Sequence, residues 1–196
     1  MKIIKLTGGA FSTNTYVIIR DDSAVVIDPV NTQQILTAAG DCKLSAILLT
    51  HGHFDHTTAA GELKEKTGAK IHIHKDDAVM LNDKDKAFAA MFPQWFNPCE
   101  ADVLLNDGDT AEGFSVKSTP GHSKGSVLFL LDNIMFSGDT LFANSVGRID
   151  GYGGNAAQQA ESLRQINKMN GDYRILPGHG EETTLEQEKQ VNFYLS

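Results

Sequence analysis

The sequence of 196 residues has few of the features that mark secreted, membrane-spanning or nucleic-acid-binding proteins. Its two cysteines, Cys42 and Cys99, stand in no paired or metal-finger spacing, which favours reduced thiols over a disulfide. No apolar run approaches the length of a membrane span, and the first residues lack the apolar core of a signal peptide. The sequence therefore predicts a soluble, cytoplasmic protein with no membrane partner.

Positive charge is also scarce. Lys and Arg total 17 against 25 Asp and Glu, so the formal net charge is −8, and there is no run of Lys or Arg. A general nucleic-acid-binding protein needs a basic surface to neutralise phosphates, so this balance predicts no nucleic-acid partner. The sequence leaves the oligomeric state open.

The chain contains no low-complexity segment, no fixed-period repeat and no linker-like stretch, so residues 1–196 are predicted to form a single domain. Apolar, β-branched segments alternate with segments of helical spacing. Strands are predicted at residues 2–6, 15–20, 24–28, 45–50, 70–74, 103–105, 115–118, 127–131, 134–137 and 173–176. Helices are predicted at 33–39, 57–67, 76–92 with a break near residue 82, 156–169 and 185–195. Both halves mix strands with covering helices, which predicts an α/β fold layered helix, sheet, sheet, helix.

Four potential metal ligands stand together on the loop after the apolar segment 45–50. His51, His53, Asp55 and His56 follow a predicted buried strand and precede a predicted helix, where layered α/β proteins often form active sites. Imidazole and carboxylate together suit Zn²⁺, and also Fe or Mn. His51 and His53 can point the same way, whereas the adjacent Asp55 and His56 must point differently. The spacing therefore predicts two ions.

Three further residues of the ligand type follow predicted strands in the second half of the chain. Each stands beside a glycine, which permits an unusual backbone path at the end of the strand. They are His122, Asp139 and His179. Their shared setting predicts that they join the first four residues in one metal site.

The whole ligand pattern resembles that of the metallo-β-lactamase superfamily. The match covers nearly the whole chain, because the segments VVIDP at 25–29 and LPGHG at 176–180 also fit the family. The residues that carry the resemblance are the motif His51-x-His53-x-Asp55-His56 and, in order, His122, Asp139 and His179. The resemblance implies the family's four-layer αβ/βα sandwich of two mixed sheets flanked by helices, in agreement with the predicted layers.

The resemblance also implies two divalent metal ions, with zinc as the first expectation and iron or manganese as alternatives. It implies a first ion held by His51, His53 and His122, a second held by Asp55, His56 and His179, and Asp139 bridging both. Asp55 and Asp139 are the implied catalytic residues, and the implied nucleophile is a hydroxide shared by the two ions. Asp28 resembles the family's aspartate that orients a ligand histidine, although a polar strand end before proline fits this position equally well.

Residues 138–148 resemble the glyoxalase II branch, which hydrolyses thioesters of glutathione such as S-lactoylglutathione. The resemblance lies in GDTLF at 138–142 followed by SVGR at 145–148. Arg148 corresponds to a basic residue that contacts glutathione in that branch, or it is a solvated loop arginine. The chain resembles a short form without the branch's C-terminal helical domain, and Asp150 stands where the branch often has an aromatic residue. The predicted substrate is a small-molecule thioester.

Three other functions fit the same residues. Persulfide dioxygenases share the histidine motif, hold one iron through the equivalents of His51, His122 and Asp139, and have a Gly-Arg-x-Asp segment like residues 147–150. A lactonase fits the same ligand set. A metal-binding interaction module without catalysis is the alternative outside the enzymes, and the complete ligand set argues against it.

Two further segments have open interpretations. His72 and His74 alternate with isoleucines on one predicted strand, which favours structural histidines over an extension of the metal site. The aromatic stretch after residue 90 is predicted to be either a flap over the substrate or a separate apolar cluster. Its members are Met91, Phe92, Trp95 and Phe96.

Overall fold

The computed structural model describes residues 1–195, and the first half of the chain forms one six-stranded sheet. Its strands are β1 (Lys2–Gly8), β2 (Thr13–Arg20), β3 (Ser23–Ile27), β4 (Lys43–Leu48), β5 (Lys70–His74) and β6 (Val103–Leu105). They lie side by side in chain order. The pairs β1–β2 and β2–β3 are antiparallel, whereas β3 to β6 run parallel. Parallel neighbours need a long connection, and the helices of this half provide it.

The second half forms another six-stranded sheet, in the order β12-β11-β10-β9-β8-β7. Its strands are β7 (Thr110–Ala111), β8 (Phe114–Ser118), β9 (Val127–Leu131), β10 (Ile134–Gly138), β11 (Arg174–Pro177) and β12 (Thr183–Thr184). Only β10 and β11 pair in parallel, and the other neighbours are antiparallel. Both sheets are therefore mixed, as predicted.

Residues 1–195 form five α-helices, and the longer ones cover the outer faces of the sheets. The five are α1 (Thr32–Ala39), α2 (Phe54–Thr57), α3 (Ala60–Thr67), α4 (Ala156–Asn167) and α5 (Leu185–Val191). Ile35 of α1 and Leu63 of α3 pack on the first sheet, and Leu163 of α4 and Leu185 of α5 pack on the second. None of the helices among residues 1–195 has the length and apolar character that crossing a membrane requires.

Side chains alternate along each strand, so each sheet has apolar side chains on both faces. One core lies between the two sheets, and a further core lies between each sheet and its helices. In β2, for example, Ile18 points between the sheets, where it joins Phe129 and Phe136, whereas Val17 points toward the helices. All of these side chains are buried. The layers follow the order helix, sheet, sheet, helix, which confirms the predicted four-layer sandwich.

The predicted helix over 76–92 is wrong. Only Ala78–Asn82 forms a short 3-10 helix, and turns follow it. The Asp83 side chain accepts hydrogen bonds from the backbone N–H groups of Asp85 and Lys86, so it stabilises a turn in competition with the helix. Phe88 then takes a left-handed backbone, with φ of 64°. These features divide the segment, and Phe88 lies on the wall of the cavity described below.

Other differences concern the ends of elements. The two-residue strands β7 and β12 escaped prediction because their alternation is too short to recognise. The predicted C-terminal helix ends at Val191, since Asn192 leaves the helical conformation and its side chain donates to the carbonyls of Phe142 and Ser145. The predicted helix over 57–67 is split between α2 and α3.

Candidate metal centre

Three histidines form the first ligand group at the edge where the two sheets meet. His51 and His53 lie on the loop after β4, and His122 lies on the loop after β8. Nε2 of His122 is 3.2 Å from Nε2 of His51 and 2.9 Å from Nδ1 of His53. All three rings are buried, and their ligand atoms lie within 4.8 Å of one another. Three imidazole nitrogens converging in this way can hold one ion.

A second ligand group lies beside the first. Asp55 and His56 stand on α2, and His179 follows β11. Nε2 of His179 is 3.2 Å from Nε2 of His56 and 3.3 Å from Oδ2 of Asp55. These three ligand atoms also lie within 4.8 Å of one another. Asp55 and His56 thus meet His179, while His51, His56 and Asp139 also lie within 4.8 Å of one another, so the two ligand groups adjoin.

Asp139 lies between the two groups. Its Oδ1 is 3.3 Å from Nε2 of His56, and its Oδ2 is 3.5 Å from Nε2 of His179 and 3.6 Å from Nε2 of His122. The side chain is 12% exposed, so it is largely removed from solvent. A carboxylate within reach of both groups fits the bridging position that the family resemblance implies.

Groups behind the histidines determine which ring nitrogen faces the centre. Nδ1 of His122 lies 2.7 Å from the carbonyl oxygen of Arg148, and Nδ1 of His179 lies 3.2 Å from that of Phe11. A carbonyl oxygen only accepts, so each Nδ1 carries the proton and donates it. With a metal bound, the proton on Nδ1 would leave Nε2 of both rings as the lone pair that faces the ligand groups.

Asp28 does the same for two more rings. Its Oδ2 accepts from Nδ1 of His56 at 2.9 Å and from the hydroxyl of Thr50 at 2.7 Å. Since the Thr50 hydroxyl donates to Asp28, it accepts from Nδ1 of His51, 3.1 Å away. Asp28 is buried at the end of β3, and its backbone has a φ of 51°. Of the two interpretations of Asp28, this geometry favours the orienting carboxylate over a simple strand end.

The electrostatics of the site are those of a cation-binding centre. Burial, and then the neighbouring histidines, hold the pKa of His51 well below its usual value, and burial lowers the pKa of His53 to about 3. Burial acts to raise the pKa of Asp139, but His56 and His179 outweigh it and hold that pKa well below its usual range. Neutral imidazoles and ionised carboxylates are the protonation states that divalent ions require.

The other two histidines have the opposite shift. Burial acts to lower the pKa of His56, but Asp139, Asp55 and then Asp28 raise it well above its usual value. Hydrogen bonds to Asp139 and Asp55 likewise raise the pKa of His179 to about 9 against the effect of burial. In both cases the excess of carboxylate charge holds a proton, and a cation at the centre would neutralise the same charge.

The donor set fits two divalent ions of the Zn, Fe or Mn type. It combines imidazole nitrogen with carboxylate oxygen, the ligands that these ions share. Oδ1 of Asp139 and Nε2 of His53 are buried but form no hydrogen bond with any residue among 1–195. A buried, unsatisfied carboxylate oxygen 3.3 Å from Nε2 of His56 has the position expected of a metal ligand.

An open cavity of about 330 Å³ gives access to this centre. The ligands on its floor are His53, Asp55, His122, Asp139 and His179. Its walls are formed by Phe11, Phe88, Phe142, Gly147, Arg148 and Gly151. A small molecule entering it would therefore meet the ligand groups directly.

Arg148 lies on the wall of this cavity. Its Nε and Nη2 donate to the two carboxylate oxygens of Asp150, at 2.5 Å each. The guanidinium carbon lies 4.6 Å from the centre of the Phe88 ring. This position is compatible with substrate contact, although the guanidinium already has a carboxylate partner.

Two sets of residues with open interpretations lie away from the ligand groups. His72 and His74 are buried on β5 and belong to neither group. In the aromatic stretch, the Phe92 ring packs against Phe11 and Phe54, whereas Met91 is 85% exposed. Part of this stretch therefore supports the wall of the cavity.

The sequence did not predict two residues that support the site, one bonded to a ligand and one bonded to the loops that carry ligands. The Thr13 hydroxyl donates to Oδ2 of Asp55 at 2.9 Å. Asp77 is fully buried and bonded to the loops that carry the first ligand group. The only signal for Asp77 was an acidic residue shortly after a predicted strand, which is common. Thr13 gave no signal, because it is distant in sequence from every ligand.

Comparison with known proteins agrees with this centre. A model of the metallo-beta-lactamase superfamily matches residues 8–179. A curated relative from Haemophilus influenzae, hydroxyacylglutathione hydrolase GloC, is 32% identical and aligns over 100% of this chain and 98% of its own length. The alignment therefore spans nearly the full length of both chains.

Three solved structures are also similar. The BLEG-1 B3 metallo-beta-lactamase is 31% identical, with a TM-score of 0.90 and full coverage of both chains. TTHA1623, solved in a di-iron-bound form, is 33% identical, with a TM-score of 0.89 and coverage of 98% of this chain and 100% of its own. ETHE1 from Myxococcus xanthus is 31% identical, with a TM-score of 0.83 and coverage of 98% and 84%. The chain therefore belongs to the metallo-beta-lactamase superfamily, whose members are metal-dependent hydrolases.

Proposed function

We propose that this protein is a binuclear metal-dependent thioesterase of the glyoxalase II type, acting on S-acylglutathione such as S-lactoylglutathione. The observation that supports it most is that two ligand groups, joined by Asp139, line the floor of one open cavity. The similarity to hydroxyacylglutathione hydrolase GloC supports the choice of substrate. The small-molecule thioester is the proposed partner, with no nucleic acid or membrane involved.

In this proposal the residues of the centre hold two ions, zinc being the first candidate. His51, His53 and His122 hold one ion, Asp55, His56 and His179 hold the other, and Asp139 contacts both. When bound, such ions lower the pKa of a water molecule to about 7 and polarise a carbonyl group. The proposed location is the cytoplasm, which agrees with the free thiols of Cys42 and Cys99.

Asp55 is suited to handle the proton of the attacking water. It lines the cavity, and the Thr13 hydroxyl fixes its orientation by donating to Oδ2. Burial acts to raise its pKa, but His56 and His179 outweigh burial, so its pKa lies below the usual value. Asp55 is thus ionised at neutral pH and can accept a hydrogen bond from water.

The test is to count the metal ions in the purified protein and then to assay it with a panel of hydrolysable substrates. Two equivalents of zinc or another divalent metal, with turnover of S-lactoylglutathione, is the expected result. Asp139→Ala should reduce turnover to the background rate because it removes the residue shared by both groups. Turnover by Asp139→Ala equal to that of the unaltered protein would contradict the mechanism. The panel includes lactones and a β-lactam, since a preference for either would replace the thioester as the proposed substrate.

A second candidate function is that of a persulfide dioxygenase. It is supported by the similarity to ETHE1 from Myxococcus xanthus, together with the Gly-Arg-x-Asp segment whose Arg148 and Asp150 form an ion pair. This function requires one iron at His51, His122 and Asp139, and leaves the second ligand group without a role. One iron per chain, with oxygen consumption on glutathione persulfide, would replace the hydrolase proposal.

A further inference from the structure

Three phenylalanine rings enclose the cavity above the ligand groups. The ring of Phe142 lies 5.9 Å from that of His179, and the ring of Phe88 lies 6.0 Å from that of His53, both edge to face. Phe11, on the turn between β1 and β2, is 44% exposed and forms the outer part of the wall. The rings come from three distant segments, so the folded chain brings together an aromatic wall that no local motif encodes.

The wall of the cavity has few polar side chains. Apart from the ligands, the single charged side chain on the cavity surface among residues 1–195 is Arg148. Its guanidinium already forms two hydrogen bonds with Asp150 and stacks on Phe88. The hydroxyl group of a lactoyl substrate would find few partners on the three rings. An apolar group would instead bury its surface against the three rings.

We infer that this aromatic wall is an acyl subsite, which selects thioesters with an aromatic or branched aliphatic acyl group over the small, polar lactoyl group. This inference rests on the proposed thioesterase function. The cavity of about 330 Å³ has room for a phenyl substituent, which can bury more apolar surface against the three rings than the methyl group of a lactoyl substrate can. A single methylene in an apolar pocket changes kcat/KM about 10- to 200-fold, so a phenyl group should contribute at least about tenfold.

The test compares two thioesters of the same thiol. S-mandeloylglutathione and S-lactoylglutathione both carry a 2-hydroxyl and differ only in phenyl against methyl. We expect kcat/KM to be at least about tenfold higher for the mandeloyl substrate. Phe88→Ala and Phe142→Ala should each lower this preference, with Phe88→Leu and Phe142→Leu as milder replacements if the alanine variants do not fold. Phe193→Ala is the control, because Phe193 is 83% exposed and lies outside the cavity.

The outcomes separate the inference from the function on which it rests. Equal kcat/KM for the two substrates, or the same preference in the Phe88 and Phe142 variants, would overturn the acyl subsite and leave the thioesterase standing. Failure of the metal-loaded protein to hydrolyse any thioester would overturn the thioesterase itself.

A separate observation concerns Asp77, which joins the two loops of the first ligand group. Its Oδ2 accepts from the backbone N–H of Gly52, at 3.1 Å, and from the hydroxyl of Ser123, at 2.6 Å. Its Oδ1 accepts from the backbone N–H of Gly125, at 2.6 Å. Gly52 lies between the ligands His51 and His53, and Ser123 directly follows the ligand His122.

The surrounding backbone is shaped to admit this carboxylate. A Cβ atom at Gly125 would lie 2.8 Å from the Asp77 carboxylate, and one at Gly52 would lie 2.9 Å from the Asp77 carbonyl oxygen. Neither distance is possible for a real side chain, so both loops approach Asp77 through glycine. Asp77 has no exposed surface, and a buried carboxylate is stable only because these donors satisfy it.

We propose that Asp77 is a positioning residue, which sets the distance between the His51–His53 loop and His122 and so tunes the affinity of the first ligand group for its ion. It contacts no ligand atom. Partners behind a metal site typically change metal affinity 10- to 100-fold when they are lost. Asp77→Asn preserves the shape of the side chain but replaces one oxygen, so it cannot accept all three hydrogen bonds.

The test is a titration of the metal-free protein with Co²⁺, followed by absorption and by chelator competition. We expect Asp77→Asn to weaken binding at one of two sites about 10- to 100-fold while the second site stays within about threefold. Ser123→Ala, which removes one hydrogen bond, should have a smaller effect in the same direction and serves if Asp77→Asn fails to fold. Asp102→Asn is the matched control, because Asp102 accepts from the backbone N–H of Ile71 away from the ligand loops. Unchanged affinity at both sites, or an equal loss at both, would overturn the assignment.

Discussion

Oδ2 of Asp28 and Nδ1 of His56 form a buried hydrogen bond of 2.9 Å that connects the end of β3 to the second ligand group. The same oxygen accepts from Thr50, which in turn accepts from His51 of the first group. One carboxylate therefore orients a ligand in each group. This makes Asp28 a common support of both proposed metal sites.

Asp28→Asn should weaken both sites. The amide can still accept from the backbone N–H of Thr50, but its NH2 group cannot accept from His56 or from the Thr50 hydroxyl. We expect a loss of metal affinity of about 10- to 100-fold, measured by isothermal titration of the metal-free protein. Asp132→Asn is the control, because Asp132 has a similar φ of 52° but lies exposed in a turn. Equal affinities of the two variants would contradict the orienting role.

Gly178 is expected to tolerate no side chain. A Cβ atom there would lie 2.3 Å from Oδ1 of Asp139 and 2.6 Å from Cε1 of His56. Gly178→Ala should therefore displace the carboxylate, reduce bound metal by at least one ion per chain and cost about 1–3 kcal/mol of stability. Metal analysis and urea denaturation measure the two effects. Gly8→Ala, where the nearest side-chain atom would be 3.5 Å away, should leave both unchanged.

Removal of metal should lower the thermal stability. An ion that binds only the folded state at a free concentration of 100 times its Kd stabilises the protein by about 2.7 kcal/mol. For a chain of this length, each kcal/mol corresponds to roughly 2–4 °C in Tm. Treatment with a chelator should thus lower Tm by about 5–10 °C in differential scanning calorimetry. Asp139→Ala should show a smaller shift, and an equal shift would mean that the chelator acts elsewhere.

The buried histidine His72 should make stability depend on pH. Burial lowers its pKa below the usual 6.5, although Glu112 and Asp102 act in the opposite direction. Between the lowered pKa and about 6.5, the unfolded chain binds a proton that the folded protein does not. The free energy of unfolding of the metal-free protein should therefore fall as the pH falls below about 6.5.

His72→Gln removes this titration and should flatten the pH dependence of unfolding by urea over that range. The other histidines are present in both proteins, so their effects cancel in the difference. Parallel curves for the variant and the unaltered protein between pH 5 and 7 would show that His72 is not the source.

Most of the fold could be predicted, because periodicity and strand ends are local signals. The ten predicted strands all occur, since most of them are rich in β-branched or apolar residues. The segment 76–92 failed for a physical reason. Its apolar residues suggested a helix, but the side chain of Asp83 stabilises a turn, and Phe88, on the wall of the cavity, has a positive φ that no helix allows.

The site was predictable to the extent that its residues are of the ligand type. The structure brings His51, His122 and His179, which lie far apart in sequence, to the same edge. Asp77 and the aromatic wall were not predictable, because an ordinary aspartate and three separate phenylalanines become significant only through contacts between distant segments. Such contacts depend on packing rather than on spacing in the chain.

The ligand groups each draw on both sheets, and this has a consequence for the lifetime of the protein. His51 and His122 are 71 residues apart in sequence, and His56 and His179 are 123 apart. Contacts across such distances tend to form late in folding, so an ion held by them mainly slows unfolding. In a cell short of metal, the metal-free protein would then open more often and be degraded faster. Metal supply would regulate how much of the protein persists as well as how fast it works.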